Sequence, residues 1–266
     1  MRLSVENVSF EYPDGFRLQG IDLNVPGGSF LGLIGPNGSG KSTLLKLMCG
    51  SLAPASGRIL LEGIPIDEHR PRERARRMAV ISAEQHFDFP FLVRDVVAMG
   101  RFPHTRRVAR AHEHDREIIT SVLSLTDLLH LQDRPISHLS SGERQRALIA
   151  RALAQEPSVL LLDEPDTHLD LHHQLNVFRL LTRLNRERSM TIVVVLHDLT
   201  AAAAFCRELA LLDKGIMVRH GAPEEVVSPD TIAGVYGPGV IVCPNPVTSG
   251  PMVTIAGQAT EGPTGE

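Results

Sequence analysis

The sequence predicts an α/β fold organised around a phosphate-binding loop. Three observations carry that expectation. Residues 35–42 spell a complete G-x-x-x-x-G-K-[ST] motif between a short apolar run (Phe30, Leu31, Leu33, Ile34) and a helix opening with Leu44, Leu45, Leu47 and Met48, the strand–loop–helix context the motif needs. Two further apolar runs of strand length, Val159–Leu162 and Thr191–Leu196, end in polar residues able to do chemistry. Helix and strand signals alternate outside an inserted helical stretch of about residues 94–155, the pattern of an α/β sheet carrying a subdomain.

The loop has a direct physical reading. Gly35, Gly38 and Gly40 let the backbone curl so that its N–H groups turn inward toward phosphate oxygens. The helix start behind them adds partial positive charge. Lys41 supplies a point charge for the β- and γ-phosphates, and the Ser42 hydroxyl is placed to ligate Mg²⁺. The competing reading, an ordinary Gly-rich turn, does not require the Lys-Ser pair.

Bulk properties bound the rest. The chain of 266 residues is 42% hydrophobic and 22% charged, ordinary for a globular protein. A net charge of −4 argues against nucleic acid as the main partner, because backbone binding rests on many Lys and Arg. Cys49, Cys206 and Cys243 are odd in number, far apart and without C-x-x-C spacing, and read as reduced thiols. The segment MRLSVENVSF lacks the apolar core of a signal peptide, and no run approaches the 18 or more apolar residues that cross a bilayer. A membrane role would therefore come from partner subunits.

In chain order, Leu3–Glu11 and Phe16–Val25 read as strands around a Pro13-Asp14-Gly15 turn, and Pro26-Gly27-Gly28 turns into the loop strand. Tyr12, at the strand end, could stack on an adenine or could be half-buried packing; position alone favours packing. Gly57–Glu62 and Met78–Ile81 read as strands. The basic segment His69–Arg77 reads as a short exposed helix with a solvated face. Phe87, Phe89, Phe91 and Phe102 cluster between Pro-interrupted stretches, and composition leaves partner docking and a small core beneath a loop evenly matched. Helices are expected at Val93–Met99, His114–Thr126 and Ser141–Gln155, with a polar loop at Thr105–Asp115. Leu169–Arg188 and Asp198–Cys206 read as helices. Leu209–Leu212 and Ile216–His220 form a hairpin around Asp213-Lys214-Gly215, and a short helical region runs to Tyr236. The stretch from about Cys243 is rich in Pro, Gly and Thr without Lys or Arg, with disorder expected from about Ala256.

Beyond the loop, ligands in an open α/β sheet sit outside the carboxyl ends of the strands. Asp163, ending one apolar strand, is then placed to hold Mg²⁺, and Glu164 beside it can take a proton from an attacking water. His197, ending the next, can donate a hydrogen bond to a γ-phosphate oxygen; in isolation a helix-start His beside a capping Asp198 reads equally well. Ser140, Ser141 and Gly142 open a helix and supply hydroxyls and free N–H groups, a second anion site. His168, His172 and His173 invite a metal reading, but no third ligand is convincing and solvated or interface side chains are preferred.

These pieces together resemble the ATP-binding cassette family. LSSGERQRALIARAL looks like its signature helix; GPNGSGKST, VLLLDEP, Thr167-His168-Leu169-Asp170 and VVVLHDL match its phosphate loop, acidic strand, D-loop and switch histidine, in the family's order over about residues 1–240. The resemblance implies a P-loop NTPase of the ABC ATPase fold, α/β, with a mixed sheet core, an antiparallel β subdomain and an inserted helical subdomain. It implies ATP and Mg²⁺. ATP would be bound by Tyr12, now as the adenine-stacking aromatic, and by Gly35, Pro36, Asn37, Gly38, Ser39, Gly40, Lys41, Ser42 and Thr43. Glu164 and His197 would be catalytic, and Ser42 and Asp163 would be Mg²⁺ ligands. Ser140, Ser141, Gly142, Glu143 and Asp170 would meet the nucleotide of a second copy. Two departures stand out. Ser141 replaces a family Gly. The glutamine expected to contact Mg²⁺ and water falls at Ala83 when aligned from the FPF segment, and Gln85, the Gln available there, is assigned the role.

FPFLVRDVVAMGRFPH, LSSGERQRALIARALAQ and VYGPGVIVCPNPVTSGP further resemble ATPase subunits of bacterial importers for iron–siderophore complexes, haem and cobalamin. That likeness implies a homodimer, peripheral on the cytoplasmic face of the inner membrane. Two membrane-spanning permease subunits would dock near residues 86–104, an external binding protein would feed them, and nucleic acid would have no part. Residues 1–240 form the nucleotide-binding domain on this reading, and 241–266 a partly disordered tail. The competing readings are a cassette ATPase of another cargo class or one acting on nucleic acid, and a phosphate-loop kinase, which would not need the 139–143 signature.

Overall fold

The computed structural model describes residues 2–82, 89–104 and 109–256, the side chains of 109–112 excepted. In chain order, β1 (Leu3–Glu11) and β2 (Arg17–Val25) precede the loop strand β3 (Phe30–Ile34) and helix α1 (Lys41–Met48). Then come β4 (Ser56–Leu61), β5 (Ile64–Pro65), α2 (Pro71–Arg77) and β6 (Met78–Ile81). The helical insert holds α3 (Val93–Met99), α4 (Ala109–Leu125) and α5 (Ser141–Leu153). Next are β7 (Val159–Asp163), α6 (Leu171–Arg188), β8 (Thr191–Val195), α7 (Leu199–Phe205), β9 (Glu208–Asp213) and β10 (Ile216–Gly221). Two short helices, α8 (Pro223–Val226) and α9 (Pro229–Tyr236), lead to a last hairpin, β11 (Val240–Pro244) and β12 (Pro251–Ile255).

Strands β3, β7 and β8 are buried at every position, as continuous apolar runs in a parallel sheet must be. They form the centre of a six-stranded sheet ordered β10-β9-β3-β8-β7-β6, parallel except for the antiparallel edge strand β10. Successive side chains serve opposite faces. Leu31, Leu33, Leu161, Val193 and Val195 pack against α1 and a second, antiparallel sheet ordered β2-β1-β4-β5. Phe30, Ile34, Leu160, Leu162, Ile192 and Val194 pack against the helices, including Val93, Val96, Val97, Leu123, Ile149 and Leu153 of the insert. The expected mixed sheet, antiparallel β layer and helical insert are all present.

Two expectations change. The polar loop expected over Thr105–Asp115 gives way to helix from Ala109. Its polar first half continues the helix whose apolar residues Ile118, Ile119, Val122, Leu123 and Leu125 face the core at helical spacing. Past Tyr236, where no element is expected, Val240–Pro244 and Pro251–Ile255 pair in register, and Val240, Val242 and Val253 pack on the main core. In the Phe cluster, Phe91 packs on the core while Phe89 and Phe102 are 67% and 81% exposed; Phe87 lies outside the described residues.

Arg101 ties the insert together. The guanidinium is buried, and it donates to Asp115 Oδ1 at 2.7 Å, Glu156 Oε2 at 2.7 Å and the Ala154 carbonyl at 2.6 Å. A buried cation needs such partners, because stripping it of water costs several kcal/mol.

Candidate active site

The phosphate loop leaves β3 at Gly35, where φ is 145°, and a Cβ there would overlap the Leu212 carbonyl oxygen and sit 2.8 Å from Ser39 Oγ. At Gly40 φ is 106°, and a Cβ would lie 2.5 Å from Leu18 Cδ2 and 2.9 Å from Phe16 Cζ. Both positions demand glycine for conformation and for room. Gly40 caps α1 with no side-chain hydrogen bond, and no acid sits in the first turn. The first N–H groups of α1 are therefore available to an anion.

Lys41 is 4% exposed, and its Nζ donates to the carbonyls of Gly35 at 2.9 Å and Pro36 at 3.0 Å. Burial holds its pKa below the ordinary lysine value, opposed by the charges of Glu164 and Asp163. Such a buried cation is suited to a polyanion. Ser42 Oγ donates to Asp163 Oδ1 at 2.9 Å, joining α1 to the end of β7. Burial raises the Asp163 pKa, and the Ser42 bond works against that rise. The hydroxyl and carboxylate are two hard oxygen donors brought to one place, a set that fits a divalent cation such as Mg²⁺. Ser39 Oγ is buried and has no hydrogen-bond partner among the described residues, a polar atom left for a ligand.

Glu164 has φ of 51°, a left-handed conformation rare for a non-glycine residue and frequent at functional sites. Its N–H bonds the Val195 carbonyl at 3.2 Å, which pins the turn to the neighbouring strand. The carboxylate meets His197 Nε2 at 2.6 Å and accepts from Thr167 Oγ1 at 3.3 Å. Asp198 caps α7, accepting from the N–H groups of Thr200 at 2.8 Å and Ala201 at 3.0 Å, so it fixes the backbone just after His197.

One cavity of about 580 Å³ gathers Tyr12, Asn37, Gly38, Gly40, Lys41, Ser42, Thr43, Glu164 and His197, together with Asp14 and Phe16. Tyr12 also packs edge-on against Phe10, with ring centroids 4.7 Å apart, and lies 6.3 Å from the Phe16 ring. Tyr12 thus packs against its aromatic neighbours and also lines the cavity. Phe16 was missed by the sequence reading, although an aromatic on the far side of the Pro13-Asp14-Gly15 turn was the available signal.

The residues expected to form a second anion site lie apart: none of Ser140, Ser141, Gly142, Glu143 and Asp170 lines that cavity. Ser140 caps α5 in a reciprocal box, with Glu143 N–H to Ser140 Oγ at 3.3 Å and Ser140 N–H to Glu143 Oε2 at 2.8 Å. That backbone bond lowers the Glu143 pKa. Ser140 and Ser141 are exposed. Gly142 is buried because the His173 ring lies against it. Asp170 caps α6 through His173 N–H at 2.8 Å and holds His173 Nδ1 at 2.7 Å, and these bonds lower the Asp170 pKa. His172 Nε2 pairs with the Asn176 amide at 3.1 Å. The sequence reading missed His173 as the link between the signature segment and the D-loop. It also missed Asp166, a buried carboxyl whose Oδ1 has no partner among the described residues and whose pKa burial raises. Gln85 lies outside the described residues.

Comparison with known proteins agrees with this geometry. Residues 18–167 match the family described as "ABC transporter". The chain is 37% identical over 257 residues to the ferric enterobactin transport ATP-binding protein FepC of Escherichia coli K12, covering 97% of this chain and 95% of that one. It is 43% identical over 236 residues to the hemin import ATP-binding protein HmuV of Nocardia farcinica, covering 89% and 81%. Among solved structures, the ATP-binding cassette MJ0796, a dimer bound to ADP and phosphate after hydrolysis, superposes with a TM-score of 0.72 at 29% identity, covering 83% and 98%. A phosphate loop, an acidic strand end and a switch histidine around one cavity, with a signature helix set apart from it, thus occur in a chain that belongs to the ABC transporter family as one of its ATP-binding, ATP-hydrolysing subunits.

Proposed function

We propose that two copies of this chain hydrolyse ATP to drive import of a metal chelate, an iron–siderophore complex or haem, through membrane-spanning permease subunits. FepC and HmuV, named for ferric enterobactin and hemin, support the cargo class. One observation carries the mechanism: the cavity holds the phosphate loop, Glu164 and His197, but not the helix start at 140–143 or Asp170. A lone copy has half a site, and the twin's Ser140, Ser141, Gly142, Glu143 and Asp170 close it. Dimeric MJ0796 with ADP and phosphate supports that arrangement. Leu171, 84% exposed beside Asp170, is an apolar contact for the twin.

On this reading Tyr12 and Phe16 take the adenine. The loop N–H groups and Lys41 take the phosphates, Lys41 Nζ trading the Gly35 and Pro36 carbonyls for phosphate oxygens. Ser42 and Asp163 would hold Mg²⁺, with Gln85 assigned a contact to it, and the bound ion would supply charge screening for the phosphates. Glu164 accepts a proton from the attacking water as the bond to the leaving β-phosphate oxygen breaks, giving ADP and phosphate. His197 Nε2 turns its hydrogen bond from Glu164 to a γ-phosphate oxygen, which frees the carboxylate for the water.

No described helix is long and apolar enough to cross a membrane. The chain attaches from the cytoplasmic face, and exposed Phe89 and Phe102 within the 86–104 segment receive the permease. An external binding protein delivers cargo. Residues 1–240, with the helical subdomain at about 94–155, are the working unit. The test uses the purified complex. Glu164→Gln should keep ATP binding while lowering turnover by about two orders of magnitude or more, and near-normal turnover removes Glu164 from its role. Vesicles carrying the complex should take up ferric siderophore or haem only with ATP; ATP-independent uptake rejects the transport reading.

A further inference from the structure

Away from the phosphate loop, a second cavity of about 310 Å³ lies where three helices meet. Thr126 and Asp127 enter it just past the end of α4, Arg146 from α5, and Asn176, Arg179 and Arg183 from α6. Three guanidiniums thus line one cavity with a single carboxylate, Asp127.

The described residues leave most of that charge unmatched. Arg183 is accounted for: its Nη2 donates to the Leu125 carbonyl at 2.6 Å, where the last carbonyls of α4 carry partial negative charge. Another of those carbonyls, that of Val122, accepts from Thr126 Oγ1 at 2.8 Å. Arg146 and Arg179 have no hydrogen bond or ion pair among the described residues, and Asp127 forms an ion pair with none of the three arginines. Glu143 lies one turn before Arg146 on α5, but its carboxylate is engaged by the Ser140 N–H at 2.8 Å. Water solvates Arg179, which is exposed, but does not reach Arg146 Nε, a buried donor without a partner. A turn of that guanidinium toward an anion would satisfy it. Each guanidinium is a planar fork of five donors, the geometry that grips phosphate oxygens two at a time. The volume is at the small end of the roughly 300–1,000 Å³ of ligand sites, which suits a compact polyanion rather than a whole nucleotide.

We propose that this cavity binds a small phosphate-type polyanion, held by Arg146, Arg179 and Arg183, and that the anion ties α5 to α6. These helices open at Ser141 and Leu171, directly after the signature Ser140 and the D-loop Asp170. An anion between them stiffens the base from which both segments project. The site does not depend on what the phosphate loop holds.

The probe is pyrophosphate, titrated calorimetrically at constant ionic strength into the full chain carrying Lys41→Ala, which disables the phosphate loop as a competing anion site. The expected result is one saturable site per chain, with slower backbone hydrogen exchange over residues 143–149 and 176–183. Arg179→Gln and Arg146→Gln should each raise the pyrophosphate Kd by about tenfold or more, the size of a lost charge-assisted bond. Arg186→Gln removes an equal charge from α6 outside the cavity and should change Kd by less than about twofold, as a screened surface charge does. Absence of saturable binding, an equal loss with Arg186→Gln, or protection confined to residues 35–43 overturns the proposal. Capture of the chain by phosphatidic acid vesicles without binding of free pyrophosphate also overturns it, in favour of a membrane contact. If Lys41→Ala folds poorly, exchange in the parent chain decides. Protection by pyrophosphate at 143–149 and 176–183 that Arg179→Gln abolishes supports the site, and protection at 35–43 alone rejects it.

Discussion

Replacing Gly142 by Ala tests the contact between the signature helix and the D-loop. A Cβ at Gly142 would lie 2.5 Å from His173 Cγ and 2.8 Å from Nε2, and closer still to Cδ2. Carbon contacts are optimal near 3.5–4.0 Å, so the ring must leave. The imidazole is a side chain and can turn, which limits the cost. In turning it gives up the 2.7 Å bond to Asp170 Oδ1, a solvent-exposed carboxylate. Overpacking adds about 1–3 kcal/mol before relaxation. We expect a net loss of about 2 kcal/mol, which lowers Tm by about 4–8 °C for a chain of this size. ATP affinity of the isolated chain should hold, because Gly142 does not line the cavity, whereas turnover of the assembled pair should fall. The double substitution Gly142→Ala with His173→Ala removes the clashing ring and should recover much of the lost Tm relative to the single change. A single variant as stable as the parent, or a double variant no more stable than the sum of the two singles, refutes the reasoning.

Two further outcomes follow from the site. Asp166 has its pKa raised chiefly by burial, with the Asp198 and Glu164 charges adding and His197 opposing. Its folded form therefore binds more protons than its unfolded form between the ordinary and the raised value, and stability falls as pH rises through that window. Asp166→Asn should remove this loss, so its Tm advantage over the parent should grow from about pH 4 upward and level off above the raised value; an advantage that shrinks with pH contradicts the assignment. Gln85→Ala should lose Mg²⁺-dependent ATPase activity, and full activity would show that this contact is made differently.

Much of the site was legible in the sequence because its chemistry is written in contiguous residues. Lys41 and Ser42 follow a loop whose glycines are needed for local backbone geometry, and Asp163, Glu164 and His197 sit where buried strands end. The strands themselves were readable because being covered on both faces leaves no polar positions. The start of α4 was not, since a polar helical turn facing water has the composition of a loop. Nor was the last hairpin, whose Pro, Gly and Thr content resembles a tail and whose strands gain from packing on α7 and α9 rather than from their own pattern.

By itself, the order of residues determined which groups this protein has for holding phosphate and activating water, because each motif is a short run whose conformation follows from its own glycines, apolar residues and caps. Tertiary structure alone decided which of those groups share a cavity and what holds them there. Ser42 meets Asp163 from a distant strand end, His173 covers Gly142, and Asp166 loses its water. The reason is physical: such contacts arise where separate elements pack against one sheet, and nothing in the local chain at either end encodes its partner.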